Sequence, residues 1–561
     1  LTVEALTNLV TGLGVALEPS KLAVAFVGAA LGTAIGVIPG LGPTATVSLL
    51  LPITIMLDQT SAIILLAGIY YGSLYGGSTA SILMRVPGEA ASVVSCFDGY
   101  PMAQQGRAGV ALGMSAFASF IAGIAATFAI TILGPSFAST ALAFGPVEKT
   151  ALVVFGLTLA ANIGEGPRIN AWAMVALGLL LSTVGVDLVS GEERYTFGNA
   201  YLRDGFHVAV LAMGMFGVSE MLILAERRPR IEAALATSYR LRDLLPNRQD
   251  WKDSSAPMAR GTVLGFFLGL LPGGGALIAS FASYILEKRI SRSPQRFGKG
   301  AIEGLAGPES ANNAAAQASF IPLLCLGIPA NAVIGVIMGA LLMQGIVPGP
   351  RLIVDHPDLF WGVVASMLIG NAMLIVLNVP LIRIFVMLLR VPPAIMAPSI
   401  LLFCVIGAFS INNSSFDVTV VIVCGFIAYV LRRSGFDLAP LLLAFLLGSL
   451  LEQNLRQGLI LGYGNPVVFL ASPISLAFVA AAVLTLALPL VRGAGRDSDA
   501  LRRPGSPWSR RPDCCGHATW QRGRRPRWSA PCRARARDRA PGRPRTPARP
   551  RPNEPRPPSR G

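Results

Sequence analysis

The chain has 561 residues, 53% of them hydrophobic and 14% charged, against roughly a quarter charged in an ordinary soluble domain. That deficit, combined with many apolar stretches close to the ~20 residues needed to cross a bilayer core, excludes a soluble globular reading. The formal net charge of +16 does not make the body a nucleic-acid binder, because residues 492–561 alone hold 20 Arg against 5 Asp or Glu.

In chain order, the first half offers apolar segments at 22–38, 44–57, 61–86, 108–134, 147–163, 169–186 and 207–225. A polar stretch at 226–260, with eight Lys or Arg and five acids, reads as a cytoplasmic linker, since short basic loops mark the inside. The second half follows with 261–271, 276–286, 314–347, 359–382, 396–411, 418–431, 438–450 and 474–491. The basic cluster at 288–299 and the pair Arg432, Arg433 also belong inside, whereas 192–204 and 355–358 lack that excess and suit the outside. With basic stretches on both flanks, 261–286 enters and leaves by one face, as a re-entrant hairpin broken between Pro272 and Gly275. Its two eleven-residue arms would each reach about 16 Å, half of a ~30 Å core. The alternative is one broken helix that spans, with a basic loop on the wrong side. The fold expected is an all-α polytopic membrane bundle of about 10–12 spans.

Shifting the chain by 233 residues superposes Gly32, Gly36, Pro39, Gly40 and Gly42 on Gly265, Gly269, Pro272, Gly273 and Gly275. These matches read as two internal repeats, 1–225 and 261–491, each with a small-residue helix broken or re-entrant at a Pro-Gly-x-Gly motif. Matching interruptions in two halves point to a transporter site. The competing explanation is that Gly-rich membrane helices resemble one another through small-xxx-small packing. A weaker echo follows each break: 78–87 and 317–329 both stop a helix with proline, at Val86-Pro87 and at Ile328-Pro329.

Irregular backbone survives in hydrocarbon only where it faces protein or a water-filled cavity, so the breaks imply a cavity. A half-helix starting after each break turns free N–H groups and its positive dipole end toward that cavity, which suits a carboxylate or phosphate. Carbonyls at the opposite half-helix ends suit Na⁺. The candidate substrate-binding residues are therefore Pro39, Gly40, Gly42 and Thr44 at the first break and Gly273, Gly274 and Gly275 at the second. Ser78, Thr79 and Ser81 follow in the first half, and Asn312, Asn313 and Pro329 in the second. For any single Ser or Thr the competing role is hydrogen bonding between helices. Asn312 and Asn313 cannot face the same side of a helix, and both amides need partners. The charges Arg85, Glu89, Asp98 and Arg107 cluster around the 86–107 connection, where they either bind substrate or pair with each other; Arg85, nearest a break, is the one singled out.

These residues also carry a resemblance. The runs Gly68-Ile-Tyr-Tyr-Gly-Ser-Leu-Tyr-Gly-Gly-Ser, Pro87-Gly-Glu-Ala-Ala-Ser-Val-Val and Asp98-Gly-Tyr-Pro-Met-Ala-Gln-Gln-Gly-Arg-Ala-Gly resemble the large membrane subunit of tripartite tricarboxylate transporters, the TctA family. In the second half, Phe297-Gly-Lys-Gly-Ala-Ile-Glu-Gly, Pro308-Glu-Ser-Ala-Asn-Asn-Ala-Ala, Leu326-Gly-Ile-Pro and Gly345-Ile-Val-Pro-Gly-Pro are similar to its other signature. The resemblance covers about residues 20–490. It implies a cofactor-free secondary carrier of the bacterial inner membrane, energised by a Na⁺ or H⁺ gradient. It also implies a small TctB-like membrane subunit, a periplasmic TctC-like solute-binding protein and citrate-like or other carboxylate substrates. Where the family often has Asn before the first Pro-Gly, this chain has Arg85-Val86, a fixed positive charge that favours a more anionic ligand.

An intramembrane enzyme would need a nucleophile–base or metal constellation. His207, His356 and His517 stand far apart, no Gly-x-Ser-x-Gly, His-Glu-x-x-His or phosphate loop occurs in the body, and the seven cysteines show no metal-type spacing. A channel would need a continuous polar lining, and a scaffold subunit would not need paired breaks. Leu1 onward shows no recognisable signal peptide. The Arg- and Pro-rich residues 492–561 read as a disordered tail, or as translation of a wrong frame of GC-rich DNA.

Overall fold

The computed structural model describes residues 2–38, 42–163, 167–187, 190–227, 241–272, 275–388 and 393–502. Helices dominate them, and the strands within them are a two-residue antiparallel pairing of Gly185–Val186 with Glu193–Arg194. This is the all-α bundle that the composition calls for. Among the described residues, five helices are long and apolar enough to cross a membrane: Pro19–Val37, Ser95–Leu142, Val208–Glu226, Pro357–Asn378 and Ser415–Arg433. The sequence reads more spans than this because several of its apolar runs fold as helices too short to cross alone, among them Pro43–Leu50 and Ala332–Met343. The residues through Arg496 form one compact unit; most of the tail, 503–561, lies outside the described residues.

Four helices of the first half place the site. α1 (Pro19–Val37) and α2 (Pro43–Leu50) both begin on proline, whose missing N–H is no loss in a first helical turn. α3 (Gln59–Met84) is capped by Asp58, whose carboxylate accepts from Ser61 N at 3.1 Å, and it stops where Arg85 takes the left-handed conformation, φ 57°. α4 (Ala108–Leu142) follows. The second half contributes α5 (Arg248–Gly269), α6 (Gly275–Ile290), α7 (Glu303–Ala318), α8 (Ala332–Met343) and α9 (Ala439–Leu461).

Glycines spaced four apart set the helix pairing. Side chains added at Gly28, Gly32 and Gly36 of α1 would collide with the carbonyls of Leu65, Ile69 and Ser73 of α3. In α5, Gly261, Gly265 and Gly269 abut the carbonyls of Gly307, Ala311 and Ala315 of α7 in the same way. Lipid supplies no hydrophobic drive between helices, so such backbone-to-backbone contact carries the association. Every residue of α3 from Thr60 to Leu83, and of α7 from Gly304 to Ala318, is buried. These two helices are the centre of the bundle, tied together by Ser78 of α3 donating to Glu309 of α7 at 2.9 Å.

The polar stretch 226–260 is only partly a connector, and 228–240 lies outside the described residues. From Arg248 it is already α5, begun by a capping box in which Asn247 accepts from Asp250 N at 2.9 Å and Asp250 accepts from Asn247 N at 3.1 Å. The arm read as 261–271 is therefore the second half of a 22-residue helix. α5 and α6 run antiparallel: Arg260 donates to both carboxylate oxygens of Glu287, at 2.8 and 2.5 Å. That ion pair sits about three turns from Pro272 on one arm and from Gly275 on the other. A second clasp joins the halves. The buried carboxylate of Asp98 accepts from the backbone N–H groups of Gly298, Gly300 and Ala301 at 2.8–2.9 Å and from the Tyr284 hydroxyl at 3.0 Å.

Candidate functional site

A cavity of about 320 Å³ opens where the helices start rather than where they run, within the range of small-molecule sites. Its wall includes Pro43 and Thr44 at the start of α2, Gly275 and Ala276 at the start of α6, and Asn331 and Ala332 at the start of α8. Pro440, in the first turn of α9, closes another side. Helix N-termini expose N–H groups without intrahelical partners and carry partial positive charge, so convergence of several makes a site for a multiply charged anion. The helices that follow the two Pro-Gly-x-Gly stretches thus border one space, since Thr44 and Ala276 both line it.

Two hydrogen bonds between the halves flank the cavity. Asn331 Nδ2 donates to Tyr70 Oη at 3.3 Å, and Asn312 Nδ2 donates to Glu89 Oε1 at 3.3 Å. Asn331 also caps α8, its Oδ1 accepting from Ile334 N at 3.0 Å. Glu89 and Asn331 each stand four residues beyond a left-handed residue, Arg85 (φ 57°) and Gly327 (φ 70°). The turn carrying Glu89 is wedged into the bundle, because a side chain on Gly88 would strike the Gly36 carbonyl of α1 and, at 2.6 Å, the Gly77 Cα of α3. Deeper in, Glu309 is 1% exposed. It accepts from Ser78 at 2.9 Å, from Ser95, and from Ser119 of α4 at 3.4 Å. Neither glutamate forms an ion pair among the described residues.

Of the residues singled out from the sequence, Thr44 and Gly275 line the cavity, and Gly42 is the N-cap of α2. Pro39, Gly40, Gly273 and Gly274 lie outside the described residues. Asn312 and Asn313 do point apart: Asn312 holds Glu89, and Asn313 donates to Ser119 at 2.7 Å. Ser78 serves Glu309, while Thr79 bonds the Tyr75 carbonyl at 3.2 Å and Ser81 the Ser92 hydroxyl at 3.0 Å. Ser78 and Ser81 are buried ties to other elements, Thr79 bonds within its own helix, and all three are off the cavity wall. Pro329 is buried just ahead of α8 and also stands behind the wall. Arg85 is exposed, with its guanidinium 5.8 Å above the Tyr100 ring, and does not line the cavity. Arg107 pairs instead with Asp250 at 2.5 Å. Tyr70, Glu89 and Asn331, none of them chosen as binding residues from the sequence, are on the wall. An acid placed immediately after the Pro87-Gly88 stop of an apolar helix was the available signal for Glu89.

A family model described as "Tripartite tricarboxylate transporter TctA family" matches residues 22–443. An Agrobacterium vitis protein named "Uncharacterized 52.8 kDa protein in TAR-I ttuC' 3'region" is 47% identical over 492 residues, covering 87% of this chain and 97% of that protein. A second, "Uncharacterized protein in TAR-II ttuC' 3'region" from the same organism, is 53% identical over 227 residues, covering 40% of this chain and 94% of its own length. No solved structure matches.

Proposed function

The chain belongs to the tripartite tricarboxylate transporter TctA family, a transporter family, and from that premise we propose that it is the large membrane subunit of a cation-gradient-driven carrier importing tricarboxylates or related carboxylates. In this reading it spans the bacterial inner membrane many times. A periplasmic TctC-like binding protein delivers the substrate, a small TctB-like subunit completes the system, and Na⁺ or H⁺ supplies the drive. The halves 1–225 and 261–491 are internal repeats, the basic stretch between them faces the cytoplasm, and the Pro-Gly-x-Gly breaks of both repeats face one site.

The observation that carries the reading is the meeting of the α2, α6 and α8 N-termini at one cavity inside a bundle of apolar helices. That arrangement recognises carboxylates through backbone N–H groups and dipole ends, with Thr44 and Asn331 adding side-chain contacts. The matched glycine contacts of α1 with α3 and of α5 with α7 support the repeats. So do the matched placements of Glu89 and Asn331. The test is uptake of labelled citrate and other carboxylates by vesicles holding the three subunits, with and without an imposed Na⁺ or H⁺ gradient. Gradient-dependent accumulation is expected; equilibration that ignores both gradients would remove the carrier from consideration.

A further inference from the structure

The cavity holds an internal conflict of charge. Its helix N-termini favour an anion, yet Glu89 stands on its wall as a carboxylate. The ionisable groups around Glu89 do not relieve this. Tyr70 of α3 and Glu309 of α7 interact with it electrostatically, and Asp437 lies on the same cavity wall ahead of α9. Arg85, four residues back, is held over Tyr100, and no Lys or Arg pairs with Glu89 among the described residues. A substrate carboxylate entering this space and an ionised Glu89 oppose each other, as two carboxylates sharing a small site do. The second half shows the neutral solution to the same geometry, for Asn331, four residues past its own left-handed residue, presents an amide.

We infer that Glu89 is the coupling-proton acceptor, ionised in the empty cavity at mildly alkaline pH and held protonated whenever the substrate anion occupies it. The inference deepens the carrier reading and rests on it. One O–H bond forms at the carboxylate on loading, with the proton drawn from the aqueous phase, and the same bond breaks on release; no electrons are exchanged. Asn312 is built to serve both states. Its Nδ2 donates to Glu89 Oε1 at 3.3 Å, while its Oδ1, on a side chain 1% exposed, has no partner among the described residues. Turning the amide over offers that oxygen to a protonated Glu89.

The test uses vesicles containing all three subunits and compares wild type with Glu89→Gln in two assays: exchange of labelled for unlabelled citrate at equal pH, and accumulation driven by an imposed pH gradient. Wild type shows both, with exchange weakening as pH rises. Glu89→Gln is expected to lose pH-driven accumulation, and whatever exchange it retains is expected to lose its pH dependence. Wild type lacking both activities would remove the carrier reading itself. Glu89→Gln that still accumulates citrate under a pH gradient, or a wild type driven by Na⁺ and indifferent to pH, overturns the proton assignment and leaves the carrier intact. A folded Glu89→Gln that no longer exchanges assigns Glu89 to binding and overturns it as well. Should the variant not fold, proton uptake by wild type on addition of citrate in weak buffer at about pH 8, where free carboxylates are ionised, decides: no uptake refutes the inference.

Discussion

Replacing Asp98 tests how the two halves are held together. Its carboxylate is fully buried and accepts three backbone N–H groups from Gly298, Gly300 and Ala301 on one oxygen and the Tyr284 hydroxyl on the other. Asp98→Ala strands three donors, of which the Ala301 N–H is buried while Gly298 is exposed and Gly300 half-buried; at about 1–3 kcal/mol for a buried donor, and with water serving the other two, the net loss is about 2–3 kcal/mol. Asp98→Asn keeps an oxygen for the three N–H groups, and the Tyr284 hydroxyl can accept from the new amide. That variant gives up only the charge assistance, about 1–2 kcal/mol. Thermal unfolding of the purified protein in detergent should therefore rank wild type above Asp98→Asn above Asp98→Ala, the last lower by a few °C. An alanine variant that melts with wild type would show that the clasp is not holding the halves. An asparagine variant as unstable as alanine would show that charge, and not the count of hydrogen bonds, sets its strength.

Gly265→Leu forces a side chain into the Ala311 carbonyl and should lose several kcal/mol, seen as failure to recover a monodisperse protein, whereas Gly14→Leu, with open space around it, should behave as wild type. Arg260→Ala leaves the 3%-exposed Glu287 carboxylate without its cation and should destabilise by about 3 kcal/mol; Glu287→Gln in the same background should recover part of that loss in the same melting assay. Thr44→Val and Asn331→Ala, both on the cavity wall, should raise the KM for citrate uptake several-fold while leaving the amount of protein in the membrane unchanged. An unaltered KM in both would move the site elsewhere.

The architecture was legible where side-chain type decides it. Glycines four apart in α1 and α5 announce close helix contact, and Asn247 with Asp250 announces the start of α5, although the surrounding charges led that helix turn to be read as linker. The site was legible only in part. The shift of 233 residues aligns Gly32 with Gly265 and the breaks that follow, but Glu89 and Asn331 are 242 apart. α6 is longer than α2, and its connection to α7 is longer than that between α2 and α3, so a single shift does not bring the cavity residues together. Arg85 drew notice because it sits beside a break in sequence. Its left-handed backbone is the end of α3, and its side chain rests on Tyr100 at the surface. The Asp98 clasp was barely readable, because three of its four donors are backbone N–H groups, which residue identity does not reveal, and the fourth, Tyr284, is distant in sequence.

The central claim is that the two interrupted stretches share one anion-binding space. Single cysteines at Thr44 and Ala276, in a background cleared of native cysteines, can be reacted with a small water-soluble thiol reagent in the presence and absence of citrate. Both positions should be labelled from water and both should be shielded by citrate over the same concentration range. Labelling that citrate leaves untouched at both sites, or shields at only one, would contradict a common site.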